Sequence, residues 1–474
     1  MPLTCTCHAR RFAMAATWAS AVLATAAADD VSLDLAGFVQ LDHYGLVAPE
    51  RFYTNERLRL TAVAQLDASS DTGDLAAFVE LIGFAEFGVH GFESVPSGAM
   101  LTDLDNLVRQ AYVALRLGPF DLDIGKKFVR WGKADLLSPL DVVNHGNTDL
   151  LALDDLLQGA RADPVVHAGA YPSDNLSLEL VYVPFLAPDL VAIEELAIDT
   201  RFTILGDTFD VDVRFLNPPV TPFSEWAHSV HAVLSYSTFV ADLQVSYSYF
   251  RDQLLDFDLS GLKERRSADG TRYDITGTVT PAYRRAHNVG IGASLALDGW
   301  VVSADAGFKF AAENLSGSRI DTKNPELVTV LQADHVFAIG SQQITALAGV
   351  YHRQVLHDQA AWRSDYSPFL EAYVGTLADQ YLLQHRPHTW YLVGRLHTTL
   401  LRERLGVGAL GVWGITEEAF HLAPRISYAV SDTLSVAAGA NLWWLAGDSD
   451  SGDTDLLRRD DAKDNVFLRT TLHF

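Results

Sequence analysis

Apolar and polar residues alternate with a period of two along most of the chain. At 58–66 the apolar set is Leu58, Leu60, Ala62, Ala64 and Leu66, and the polar set includes Arg59, Thr61 and Gln65. At 241–249, Ala241, Leu243, Val245, Tyr247 and Tyr249 alternate with Asp242, Gln244, Ser246 and Ser248. At 302–310, Val302, Ala304, Ala306, Phe308 and Phe310 alternate with Ser303, Asp305, Gly307 and Lys309. Such alternation marks strands with one apolar and one polar face. Helical spacing is hard to find. The runs are about 9–13 residues long, whereas strands in soluble domains have about five or six. A tilted strand crossing a bilayer needs about 9–11.

This parse gives about twenty strands between 33–43 and 465–474, among them 197–205 and 208–216. The weaker segments leave counts of 16 or 18 open. Long connections alternate with tight turns such as Gly118–Pro119, Asp298–Gly299 and Gly340–Ser341. Long loops at one end and short turns at the other are the layout of an outer-membrane barrel. The expectation is an all-β fold: a transmembrane antiparallel β-barrel of about twenty strands (16–20) over residues 29–474. The last nine residues, Val466 to Phe474, put Val466, Leu468, Leu472 and Phe474 on one face and Arg469, Thr471 and His473 on the other. A final strand ending on Phe474 resembles the signal read by the bacterial outer-membrane assembly machinery, which is therefore an expected partner.

Residues 1–28 read as a signal peptide: Arg10 and Arg11, an apolar stretch from Phe12 to about Leu23, then Ala24 to Ala28. Cleavage before Asp29 removes both cysteines, Cys5 and Cys7. The mature chain then has no disulfide, thiolate metal site or cysteine nucleophile. The expected location is the outer membrane of a Gram-negative bacterium.

Composition narrows the function classes. Of 474 residues, 49% are hydrophobic and 20% charged, with a mean hydropathy of +0.09, too apolar for a disordered chain. With 35 Lys and Arg against 60 Asp and Glu, the net charge is −25. Nucleic acid is excluded as a partner, since its binders are basic. The acidic loop tip at 448–455 bunches oxygens suited to calcium. The EF-hand pattern fails there, because Gly452 falls one position early and Arg459 replaces the final acid. It reads as a solvated tip, and acidic loops suit divalent ions bridging lipopolysaccharide. No metal site or cofactor is expected.

In a lipid-spanning barrel the polar face looks inward. The expected pore lining is Arg57, Arg59, Glu80, Arg116, Asp121, Asp123, Lys127, Asp212, Arg214, Asp242, Arg395, Arg425 and Arg469, with Glu179, Asp210, Asp305 and Lys309 facing the same way. Acids and bases nearly balance, so no strong ion preference follows from counting. A barrel this wide is not filled by side chains alone.

After Trp131 the alternation stops. The connection to about residue 160 interleaves Leu136, Leu137, Leu140, Leu151, Leu153, Leu156 and Leu157 with acids. A loop that apolar has to bury itself, so 131–160 is expected to fold inward after the fifth strand as a constriction loop, the other reading being an extracellular cap packed on neighbouring loops. Its candidate residues are Trp131, Lys133, Asp135, Asp141 and Asn144. Trp131-Gly132, Asp135, Pro139, Asp141-Val142 and Asn144 resemble the W-G-x-x-D-x-x-x-P-x-D-V-x-N signature of a little-characterised group of proteobacterial porin-like outer-membrane proteins. Leu180 to Phe185 is similar to that group too. His145 and Gly146 stand where the group usually has Pro and Arg. The resemblance implies fold and location and names no substrate.

The reading favours a channel for small solutes, with outer-membrane lipid and lipopolysaccharide as its surroundings. An export or envelope component is the alternative. An outer-membrane hydrolase is disfavoured: Ser229 and His231 share the lumen side, but no third partner is evident. Neither His228 with His231 nor His385 with His388 suits zinc, since residues three apart on a strand face opposite ways.

Overall fold

A computed structural model describes residues 31–48, 51–70, 74–88, 108–134, 138–146, 160–184, 197–204, 207–215, 228–252, 256–258, 262–267, 272–282, 285–311, 325–340, 342–356, 387–445 and 464–474. The signal-peptide expectation for residues 1–28 lies outside them, as does Asp135.

Eighteen strands close a barrel. They are β1 (Val31–Ala48), β2 (Arg51–Ser70), β3 (Leu75–Gly88), β4 (Val108–Leu117), β5 (Phe120–Lys127), β6 (Asp163–Ser173), β7 (Leu176–Val183), β8 (Ser229–Ser237) and β9 (Ala241–Arg251). The circuit continues with β10 (Arg285–Leu297), β11 (Trp300–Ala311), β12 (Glu326–Ile339), β13 (Gln342–Val355), β14 (His388–Leu400), β15 (Leu405–Gly414), β16 (Ala419–Ala429), β17 (Leu434–Leu445) and β18 (Asn465–His473). Each strand pairs antiparallel with its sequence neighbours in the circuit, and β18 pairs with β1 to close it. At the seam, Gly37 and Phe474 exchange backbone hydrogen bonds at 3.1 Å each.

Connections leaving even-numbered strands are two to four residues long. Two of them show why they turn so tightly. At 298–299, Asp298 (φ 47°) and Gly299 (φ 85°) adopt the left-handed pair that matches strand twist, and Gly118 sits at φ 60°. Most connections leaving odd-numbered strands are long, including 128–162, 184–228, 252–284 and 356–387.

The sequence reading expected about twenty strands, and the difference has a single source. The segments at 197–205 and 208–216 do form a hairpin, Ala197–Ile204 with Asp207–Phe215. It joins a separate sheet instead of the wall. Asp207–Phe215 pairs parallel with Arg272–Ala282, contributed by the β9–β10 connection, and Leu262–Arg266 and Asp256–Asp258 flank that strand. Alternation made these segments strands, but it does not say which sheet a strand joins. Asp212 and Arg214, expected on the pore wall, therefore lie on this second sheet. Asp210 moves with them.

The barrel's surface is inverted relative to a soluble protein. On β1, Leu35 is 63% exposed while Asp42, on the opposite face, is 1% exposed. On β9 and β10, Leu243, Val245, Val289 and Ile291 are exposed, and Gln244, Ser246, Ser248 and Asn288 are buried. An apolar exterior around a polar interior is the partition of a barrel whose outer solvent is hydrocarbon.

Candidate functional site: the barrel interior

Because paired residues on antiparallel strands share a face, the register carries the inner face around the barrel. Asp42 pairs with Arg469 and Arg59, Gln65 with Glu80, and Glu80 with Gln110. Arg116 pairs with Asp121, and Asp123 with His167. Arg395 pairs with Leu410, and Arg425 with Gly408 and Gly439. Arg57, Arg59, Glu80, Arg116, Asp121, Asp123, Lys127, Asp242, Arg395, Arg425 and Arg469 thus share one face. Of Arg57 and Arg59 the structure describes the backbone, and their side chains lie outside the described residues.

Many of these charges are paired. Across β4 to β7 an ionic network runs along the wall. Arg116 reaches Asp123 at 2.8 Å and Asp121 at 3.4 Å. Lys127 also pairs with Asp123, and His167 bridges Asp123 (3.4 Å) to Glu179 (3.0 Å). Glu80 accepts from Arg109 at 3.2 Å and from Gln110 at 3.0 Å. At the seam, Arg469 Nε donates to Asp42 Oδ1 at 2.6 Å, and Gln40 donates to the other carboxylate oxygen. Beyond β10, Lys309 pairs with Glu326 (2.7 Å) and Asp252 (3.4 Å), and the Tyr391 hydroxyl donates to Glu417.

The chain leaving β5 folds against this inner wall. Trp131 is buried beside β7 and β8, with Nε1 donating to Glu179 at 3.4 Å and its ring edge-on to His231 at 6.1 Å. One residue on, Gly132 N donates to Gln244 of β9 at 2.9 Å. Asp305 of β11 then takes three donors: Lys133 N (2.9 and 3.0 Å to its two oxygens), Ala134 N (2.9 Å) and Ser138 Oγ (2.7 Å). Pro139 O accepts from Asn288 of β10 at 3.0 Å. The segment thus tracks along the wall from β5 to β11.

Leu140 is completely buried, and the wall beneath it is glycine. A Cβ at Gly290 would stand 2.7 Å from Leu140 Cγ, and one at Gly307 would stand 2.9 Å from Pro139 Cβ. The loop's apolar underside is Val129, Trp131, Leu140 and Val143, packed on Val165, Val181, Val183 and Val233. Asn144 closes the loop's base. Its Oδ1 accepts from Val129 N at 3.1 Å, while its Nδ2 donates to Val129 O at 2.5 Å and Asp141 Oδ1 at 3.2 Å. An amide side chain does here what a paired strand would do. Burial pushes the Asp141 carboxyl up to about 6, against the opposing pull of Arg130 and the Asn144 hydrogen bond.

The inward fold expected for this loop is present over 128–134 and 138–146; residues 147–159 lie outside the described ones. Lys133 Nζ stands 4.0 Å from Asp242. His145 and Gly146 form a short bridge with Arg161 and Ala160. The anchoring role of Asp305 and the glycine bed were not legible beforehand. The available signal was glycine at polar-face positions in Asn288–Gly290–Gly292. Ser229 Oγ accepts from Arg251 N at 3.3 Å, a structural use of the hydroxyl. Among the described residues no cluster of three or more His, Cys, Asp or Glu is arranged to hold a metal.

No protein-family model matches the chain, and no curated protein matches it. Solved structures do match over most of its length. Pseudomonas aeruginosa OccK9 (OpdG) is 12% identical with a TM-score of 0.46, covering 94% of this chain and 98% of the other. A BenF-like porin from Pseudomonas fluorescens Pf-5 is 9% identical with a TM-score of 0.45, covering the same shares. Salmonella typhi OmpF, in complex with daunomycin, is 11% identical with a TM-score of 0.42, covering 93% and 97%. The fold stands on its own register, a closed antiparallel barrel of eighteen strands. At these identities and scores the likeness carries no argument about what the chain does.

Proposed function

We propose that the chain is a channel in the outer membrane of a Gram-negative bacterium, through which small solutes diffuse across a charged lumen. The observation that carries this reading is the inverted surface joined to a loop that lies along the inner wall from β5 to β11. Eighteen strands enclose more space than side chains fill, and charged groups on the inner face need water or partners. Paired groups occupy β3 to β7, the β1–β18 seam and the Lys309 cluster, and the inward segment covers part of β7 to β11, while inner-face groups such as Arg395, His397 and Arg425 stand exposed.

The test is single-channel recording of the purified chain in a planar bilayer. Stable steps of a few hundred picosiemens are expected. Silence from protein that is folded, as judged by a heat-dependent shift in gel mobility, would overturn the open-channel reading.

A further inference from the structure

Charge on the inner wall is segregated. Strands β13 to β17 carry no Asp or Glu at any position. Their inner face holds Arg395 and His397 on β14 and Arg425 and Ser427 on β16. Between them, on β15, stand Gly406 and Gly408, which pair with Thr399 and His397 on one side and with Ser427 and Arg425 on the other. The glycines leave a notch into which Ser427 and His397 lean: a Cβ at Gly406 would stand 2.6 Å from Ser427 Oγ and 3.6 Å from His397 Nε2, and one at Gly408 would stand 3.3 Å from the His397 ring. Arg395 and Arg425 are both exposed. Among the described residues neither has a hydrogen-bond or ion-pair partner, in contrast to Arg116 and Arg469.

We propose that this notch is a subsite for a phosphate group carried by a permeating solute. The inference rests on the channel reading above. Two strand spacings separate β14 from β16, about 9.6 Å. Arg395 is level with Leu410 and Arg425 with Gly408, a further offset of two residues or about 6.8 Å along the strands, so the two long side chains must lean towards each other to share one phosphate. The donors come from β14 and β16 and share the inner face: two guanidiniums, an imidazole and a hydroxyl. A tetrahedral phosphate offers acceptors in several directions, whereas a carboxylate offers two in one plane. Across the barrel, the acids of β5 are held by Arg116, Lys127 and His167. The near balance of charges in the sequence thus resolves into a neutralised wall and a basic one.

The experiment adds glucose 6-phosphate to one side of a bilayer containing the channel in potassium chloride. Glucose and succinate serve as controls. The expected result is concentration-dependent interruption of the current by glucose 6-phosphate, absent with glucose and weaker with succinate. Arg395→Gln and Arg425→Gln should each raise the half-blocking concentration at least about tenfold, the equivalent of one charge-assisted hydrogen bond. Both residues are exposed and unpaired among the described ones, so folding is not at stake. Equal block by succinate would overturn the phosphate assignment. Block unchanged in both variants would overturn the notch. Should the folded wild type give no current steps, the channel reading fails on its own. Titration calorimetry of glucose 6-phosphate on the detergent-solubilised wild type and variants then decides the notch, and no heat of binding in the wild type would overturn it.

Discussion

Asp305 shows how one carboxylate fixes a loop. It faces two backbone N–H groups and a hydroxyl from a segment more than 160 residues away in sequence. Hydrogen bonds to a charged group contribute roughly 1.5–3 kcal/mol each, and removing the carboxylate strands donors that are otherwise buried. Asp305→Ala should release the segment while leaving the barrel closed. Placing a cysteine at the fully buried Leu140 (Leu140→Cys) in a chain starting at residue 29 gives the readout. A water-soluble maleimide should label it slowly with Asp305 intact and at least about tenfold faster without it. Equal rates would mean that packing alone holds the loop. Asp141 supplies a pH dependence. Its carboxyl, raised by burial to about 6, binds its proton more tightly in the docked loop than when released. The docking contributed by this group is full below about pH 4 and is lost as pH rises through 6. Labelling of the same cysteine, divided at each pH by that of a free thiol, should therefore speed up between pH 5 and 7, and Asp141→Asn should flatten that ratio.

At the level of elements, the seam between β1 and β18 closes the circuit. Nine residue pairs join them, from Phe38 with His473 to Leu46 with Asn465. At its centre the Arg469–Asp42 pair is buried on both sides. Breaking such a pair by removing one partner costs about 3–5 kcal/mol, because the other charge is left uncompensated. Arg469→Ala should lower the temperature at which the folded band converts to the unfolded one on gels, and Arg469→Lys should recover part of the loss. A conversion temperature unchanged by Arg469→Ala would show that backbone pairing alone seals the barrel. The same scale explains the strand count. Ala197–Ile204 and Asp207–Phe215 are true strands, but the long connections that carry them give Asp207–Phe215 a parallel partner in Arg272–Ala282. Local pattern cannot distinguish a wall strand from one paired between two loops.

For the whole molecule, the decisive property is which solvent meets which face. Ile291 is 58% exposed in the middle of β10, on the apolar exterior. In a bilayer, Ile291→Arg should destabilise the barrel by about 2–4 kcal/mol near the midplane, read as a lower urea midpoint in lipid vesicles. On a water-facing surface the same change is nearly neutral, so an unchanged midpoint would sink the lipid-facing assignment. By itself the sequence determined the strands, the inner and outer faces and the segregation of long and short connections, because each follows from a period of two and from turn residues. The resemblance grouped Trp131, Gly132, Asp135, Pro139, Asp141 and Asn144; Asp135 lies outside the described residues, and the other five make contacts within the inward segment or between it and the wall. What only the tertiary structure decided is pairing over distance. It set which strands share a sheet, that Asp305 receives the loop, that Gly290 and Gly307 make its bed, and that Arg116 is neutralised while Arg395 has no ion-pair partner among the described residues. Those outcomes depend on residues brought together by barrel closure, and no local period records them.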